Sequence, residues 1–199
     1  MKTTQPIRSF DDLEKMKKYY LFTHPNKRNY ALIIAGLNTA LRISDILKLR
    51  WEDVYNVDTM DFRQHIDISE KKTGKDTSIC INNNLREALY MYMSYKVKKG
   101  SAIQELIKQY IFNGQKSPDK PISRVQAFRI ISKAAKECNI EHSVSCHSLR
   151  KTFGYHAWKQ GISPALITSI YNHSSYKVTI RYLCIEQDDR DEAFRNIRL

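Results

Sequence analysis

The residues of this chain best suited to chemistry fall in one run, Cys146 to Tyr182. His147 and Arg150 lie three apart, a spacing that sets an imidazole and a guanidinium on one side of an α-helix. Gly161 reads as a helix stop, Ser163 as the cap of a short apolar helix, and His173 falls in the polar turn that follows. A further helix from about Ser175 carries Tyr182, nine residues beyond that histidine. Two imidazoles, a guanidinium and a phenol on three short helices can hold a phosphate and attack it. A guanidinium donates paired hydrogen bonds to phosphate oxygens. A phenol, with a pKa of ~10, needs a proton acceptor and a positive surround before it becomes a nucleophile.

The upstream chain must supply the rest. Ser9 and Asp12 open a helix that reaches about Tyr20, with Phe10, Leu13, Met16 and Tyr20 along one side. His24-Pro25 breaks it, and Asn26 caps the next helix, whose apolar residues Tyr30, Leu32, Ile33, Ile34 and Leu37 make it the core of the N-terminal half. Arg42 then stands at the mouth of a short helix from about Ser44. A cation there opposes the helix dipole. It is held for an anionic ligand, with Asp45 bracing it, or it is a surface arginine with a first-turn acid nearby.

Residues 62–69 alternate with a period of two, which predicts a half-buried strand, and Thr77–Ile81 predicts its antiparallel partner across a turn with Gly74 at its tip. Lys71, Lys72 and Lys75 cluster in that turn. They reach a phosphate backbone or protect an exposed edge. Asn82 to Lys99 is a helix with Leu85, Leu89, Tyr92 and Met93 inward. Residues 103–112 read as a helix followed by a short extended piece, and Gly114–Pro121 as an exposed loop. Ser123 caps a helix to about Cys138 with Val125, Phe128, Ile131 and Ala135 toward the core. His156 belongs on the side of its helix away from Arg150, in a structural role.

Thirty-three Lys and Arg against 21 acids give a net charge of +12. Residues 186–199 carry five acids and three arginines, so the positive field belongs to the chain before them. Such a field suits a polyanion, most often nucleic acid, or else describes a solvated basic surface. The four cysteines are scattered without a C-x-x-C pair. The N-terminal residues have no apolar segment of the signal-peptide kind, and the longest apolar run, Tyr30 to Leu37, is too short to span a bilayer. These features predict a cytoplasmic protein with reduced thiols and no membrane contact. Without repeat or linker, residues 1–199 read as a single domain.

Three pieces of sequence, ALRISDILKLRWEDV, EKKTGK and HSLRKTFGYHAWKQG followed by HSSYKVTIRYL, together resemble the tyrosine recombinase (phage integrase) family. The resemblance spans roughly residues 30–185, and the pieces arrive in the family's order. It implies an α+β fold, mostly helical, with a helical catalytic core and a small antiparallel sheet or hairpin at one edge. It implies Arg42 and Arg150 as phosphate-clamping arginines, Lys72 as the hairpin general acid, His147 and His173 as active-site histidines and Tyr182 as nucleophile.

The implied activity is site-specific cutting and rejoining of double-stranded DNA through a 3′-phosphotyrosyl link, with no ATP, metal or other cofactor. Two departures from the family pattern stand out. Too few residues precede Arg42 for the usual N-terminal DNA-closing domain, and Asn172 stands where glycine commonly precedes the second histidine. The tail, 186–199, can form an amphipathic helix on Ala193, Phe194 and Ile197. It would dock on a neighbouring subunit, giving self-association on DNA, or fold back on its own body. Two other readings compete. In a non-catalytic helix-turn-helix regulator, Lys177, Thr179 and Arg181 would meet bases. A relaxing topoisomerase of type IB kind would use the same chemistry without choice of site.

Overall fold

The structure is a computed structural model, and it describes residues 4–69, 74–114, 117–185 and 187–197. The fold is mostly helical with small antiparallel sheets. Its centre is helix α2 (Lys27–Asn38), in which every residue from Ala31 to Leu37 is buried. A stretch apolar on all sides must be wrapped on all sides. Helices α1 (Phe10–Lys18), α4 (Asn83–Lys98), α6 (Arg124–Glu137) and α7 (Cys146–Lys159) do the wrapping. Gly36 is where α7 comes closest to α2, because a Cβ there would lie 2.6 Å from the Leu149 side chain.

The predicted caps Ser9, Asn26 and Ser123 are present, and Asn82 caps its helix as well. The side chains of Ser9, Asn26, Asn82 and Ser123 accept hydrogen bonds from backbone N–H groups in the first turns of α1, α2, α4 and α6. After Lys18 the chain passes into a single π-helical segment, Tyr19–Thr23, which lets the buried Tyr20 donate its hydroxyl to the carbonyl of Ile130 at 3.0 Å.

Helix α3 (Ile43–Ile46) follows α2, and a 3-10 turn (Trp51–Asp53) leads to a ribbon of β1 (Tyr55–Asn56) and β2 (Asp61–Phe62). The alternation of residues 62–69 therefore divides between two sheets. Phe62 closes the first ribbon, and His65–Ser69 forms β3, paired antiparallel with β4 (Asp76–Cys80). Ile66 faces Ile79, and Ile68 faces Thr77. Gly74, at a φ of +66°, takes the left-handed conformation that the turn requires.

Three expectations are corrected. Helix α5 covers Ile103–Leu106 alone, and the extended piece comes later, as β5 (Asn113–Gly114). Gly114–Pro121 is not all loop, because β5 pairs with β6 (Ser117–Pro121). Prolines disfavour a central strand, but a two-stranded ribbon leaves one edge of each strand unpaired. Helix α6 keeps Ile131 and Ala135 inward as predicted, but not Val125 and Phe128. Ala127, Ile130, Ile131, Ala134 and Ala135 are buried, whereas Val125 and Phe128 are exposed. Ala127, Ala134 and Ala135 permit close packing on the core beside Ile130 and Ile131.

The C-terminal third is α7, α8 (Pro164–Ile170), α9 (Tyr176–Leu183) and α10 (Gln187–Asn196). Its own apolar cluster of Ala40, Ile167, Tyr171 and Leu183, with Phe153, Trp158 and Tyr182 at the margin, is separate from the main core. No helix among the described residues is long and apolar enough to cross a membrane.

Candidate active site

Helix α7 is started by Ser145, whose hydroxyl accepts from the His147 N–H at 3.2 Å. His147 is exposed in that first turn, while Arg150, one turn on, is only 3% exposed. A guanidinium that deep needs partners for its N–H groups. Arg150 donates through Nη1 to the carbonyl of Ala40 and through Nη2 to that of Tyr171 at 3.1 Å. It also lies 4.6 Å from the centroid of the Tyr171 ring. Tyr171 returns the contact, donating its hydroxyl to the Arg150 carbonyl at 2.5 Å. Burial pushes the Tyr171 phenol well above the usual tyrosine range, with the neighbouring Tyr182 adding to the shift, so it stays a neutral donor.

The Ala40 carbonyl links the two predicted arginines. Ala40 adopts a left-handed φ of +55° where α2 ends, and Arg42, half-buried, follows as the N-cap residue of α3. A non-glycine residue in that region carries strain. Here it turns a carbonyl onto Arg150 and starts α3 at Arg42.

His173 lies in the turn between α8 and α9. Asn172 precedes it at a φ of +53°, within reach of asparagine because its short polar side chain tolerates left-handed backbone. The Asn172 amide donates to the Thr77 hydroxyl at 3.1 Å, tying this turn to the β3–β4 ribbon. His173 Nδ1 bonds the Thr179 hydroxyl at 3.0 Å, and Thr179 is in turn 2.8 Å from that of Thr168.

Tyr182 completes the group. Its ring centroid is 5.1 Å from that of His173 and 5.3 Å from that of Tyr171. The Lys151 ammonium lies 5.2 Å from the ring centroid on α7's side. The Tyr182 hydroxyl is buried and, among the described residues, has no partner in hydrogen-bonding geometry. Burial raises its pKa above the ordinary tyrosine value; Arg150, and behind it Arg42, oppose that shift. Arg150 opposes it both by its charge and as a hydrogen-bond donor approaching the phenol oxygen.

Arg150, His173 and Tyr182 are thus joined through Tyr171, with Arg42 close enough for its charge to reach the phenol. His147 shares α7 one turn ahead of Arg150. Lys72 lies outside the described residues, although the β3–β4 ribbon on either side of its turn is described. His156 is structural, as expected: its Nε2 is 2.9 Å from the carbonyl of Ile7.

Four contributors escape sequence reasoning. Tyr171, Thr179 and Lys151 look like ordinary packing or surface residues until the helices are assembled. Gly154 gave one available signal, a glycine inside a helical pattern. A Cβ there would lie 2.2 Å from the Tyr171 hydroxyl, so only glycine lets Tyr171 reach under α7.

The arrangement can bind a phosphodiester on two guanidiniums and present a phenol to it. Comparison with known proteins bears on which chemistry this is. The family model described as "Phage integrase family" matches residues 11–188. The chain is 40% identical over 195 residues to the "Probable integrase/recombinase YoeC" of Bacillus subtilis (strain 168), covering 98% of this chain and 97% of that protein. Among solved structures, XerA recombinase superposes with a TM-score of 0.76 at 20% identity, covering 99% of this chain and 68% of the other. A lambda integrase dimer bound to a COC′ core site gives 0.66 at 18%, covering 100% and 52%. The two structures speak for the fold; the family match and the B. subtilis relative go further. The chain belongs to the phage integrase family, the tyrosine-type DNA recombinases.

Proposed function

We propose that the protein is a site-specific recombinase that cuts and rejoins double-stranded DNA with Tyr182 as nucleophile. The Tyr182 oxygen attacks the scissile phosphorus, and the bond from phosphorus to the 5′-oxygen breaks. The products are a 3′-phosphotyrosyl link and a free 5′-hydroxyl. Attack by the same or another 5′-hydroxyl reverses the step, so the bond energy is retained and neither ATP nor metal enters.

Arg42 and Arg150 hold the non-bridging oxygens as charge grows on them. His147 accepts the phenol proton. His173 donates a bond to a phosphate oxygen, and Lys72 protonates the leaving 5′-oxygen. A Thr179 hydroxyl donated to Nδ1 leaves the His173 proton on Nε2, the tautomer such a bond requires. The net charge of +12 suits the DNA partner. On DNA, copies associate through the C-terminal tail.

The observation that carries this reading is the Tyr182 hydroxyl, buried with no bonded partner beside Arg150 and within ring contact of His173. The regulator reading fares worse. Thr179, which it assigns to base contact, is fully buried and bonded to His173. The test is a labelled, nicked duplex incubated with the protein and resolved under denaturing conditions. A covalent adduct that Tyr182→Phe abolishes is expected. Its absence, or its survival in the variant, sinks the assignment. Trapping with equal yield on many sequences would instead mark a relaxing topoisomerase.

A further inference from the structure

A second cation lies buried directly after Arg150 on α7. Lys151 is only 4% exposed. Consecutive residues of a helix project about 100° apart, so the two cations reach different parts of Tyr182. Arg150 approaches the hydroxyl, whereas the Lys151 ammonium lies 5.2 Å from the ring centroid, inside the range at which a cation is drawn to an aromatic face. Lys151 donates to the Thr4 carbonyl at 2.7 Å and to the Cys184 sulfur at 3.2 Å. Neither acceptor is a carboxylate, and among the described residues Lys151 makes no ion pair.

A buried ammonium without a carboxylate beside it is unfavourable. Tying the N-terminal strand to α7 does not require that charge. Thr152 already makes such a tie without one: its hydroxyl accepts the Ile7 N–H at 2.9 Å, and His156 meets the Ile7 carbonyl. A neutral amide would serve the Thr4 carbonyl as well. What the charge adds is its field on the Tyr182 ring.

That ring takes up charge when the phenol ionises, because a phenolate shares its negative charge between the oxygen and the ortho and para carbons. Arg150 and Arg42 favour ionisation from the oxygen's side. The other titratable groups around Tyr182 are His173 between α8 and α9, Tyr171 at the end of α8, and the Cys184 thiol, which works against ionisation. Beyond Cys184, Arg8 donates to its carbonyl at 2.5 Å and is met by Asp189 of α10 at 3.5 Å, so those two charges offset each other. Asp189 also accepts the Tyr155 hydroxyl. Among the described residues, Lys151 is the cation seated over this ring.

We propose that Lys151 is a further residue of the cleavage step, holding its charge against the Tyr182 ring so that the phenolate forms more readily. The proposal rests on Tyr182 being the nucleophile. Lys151 is a positioning residue, because it acts on the reacting oxygen through the ring. It transfers no proton. The phenol proton passes to His147, the Tyr182 oxygen bonds to phosphorus, and the leaving 5′-oxygen is protonated by Lys72, as in the step above.

The test uses the full chain with Lys151→Gln, which keeps a donor for the Thr4 carbonyl, and Lys151→Met, which keeps only the length. Thr152→Val loosens the same strand without removing a charge. Adduct formation on the nicked duplex is followed in single turnover, at saturating protein, across a pH series. Both Lys151 variants are expected to slow it about tenfold at neutral pH, within the range of a desolvated cation–π contact. They should also move its rise with pH toward the alkaline side. Thr152→Val should leave that rise where it stands in the wild type. Placing 3-fluorotyrosine at position 182, a more acidic phenol, should restore most of the rate in the Lys151 variants.

A merely structural lysine behaves differently: the rate falls along with melting temperature, the rise is unmoved and fluorination recovers nothing. That result, or a wild-type rate in both variants, overturns the proposal. An equal alkaline shift in Thr152→Val overturns it too, since loosening the strand would then suffice. A wild type that forms no adduct, or one whose adduct survives Tyr182→Phe, overturns the nucleophile assignment and takes the role of Lys151 with it. Normal adduct from the wild type, with an unmoved rise in the variants, overturns the role of Lys151 alone.

Discussion

The His173 and Tyr182 rings meet edge to face, their centroids 5.1 Å apart and their planes at 74°. The imidazole is held in that attitude from behind by Thr179, one helical turn before Tyr182 on α9. One short helix therefore carries both the phenol and the residue that orients its neighbouring histidine. A shift of α9 moves them together.

Thr179→Val keeps the buried shape and removes the hydroxyl. His173 then loses the bond that selects its tautomer and ring plane. Adduct formation should fall by roughly ten- to a hundredfold, toward the loss of a positioned acid or base. DNA affinity should hold, because no group proposed to touch phosphate is removed. Single-turnover kinetics beside a DNA titration check this, and a wild-type rate would contradict it.

The two arginines should respond differently to lysine. Arg150 spans two carbonyls and the Tyr171 ring from a buried position, and a single ammonium cannot copy that fork. Arg150→Lys should lose about 1–3 kcal/mol of stability as well as activity, because a buried carbonyl is left without its donor. Arg42 is half-buried, and Arg42→Lys should leave the melting temperature near wild type while activity drops about a hundredfold or more. Thermal unfolding alongside the adduct assay separates the two. Equal melting temperatures would refute the structural part.

Stability should fall at both ends of the pH scale. Burial raises the Tyr20 and Tyr92 hydroxyls to about 12. The native state then holds these protons more tightly than the unfolded chain. Their stabilisation is complete below pH ~10 and is lost between ~10 and ~12, by about 1.4 kcal/mol per pH unit for each group. His156 has the opposite sign. Burial lowers its pKa, so the native state favours the neutral ring, and that contribution is lost as pH falls below ~6.5. His156→Gln keeps a donor for the Ile7 carbonyl without a titration. Melting temperature plotted against pH should show a shallower acid limb in that variant, and an unaltered limb would show that His156 is not involved.

Local signals carried much of this protein. Ser9, Asn26, Asn82 and Ser123 cap helices because a side-chain oxygen placed before an apolar periodicity satisfies the first-turn amides, whatever lies further away. Residues 62–69 failed in part for a related reason. Alternation reports which side chains face inward but not which strand they pair with, and Phe62 and Ile66 went to different ribbons. The tail forms the expected helix, but its apolar pattern did not announce which residue is buried against the body. Phe194 and Ile197, its apolar signal, are exposed, and Asp189 is the residue buried. A carboxylate enters the interior only where specific donors meet it, and Tyr155 and Arg8 are far from it in sequence.

The sequence by itself determined the helices, the β3–β4 ribbon, the field of positive charge and the order of Arg42, His147, Arg150, His173 and Tyr182. These depend on residue type and short spacing. Tertiary structure alone decided that Ala40 and Tyr171 bind Arg150, that Thr179 aims His173, that Gly154 makes room for Tyr171, and that Arg8 reaches Cys184. Each is a contact between segments distant in the chain, set by how close two backbones come and by which buried polar groups must be paired.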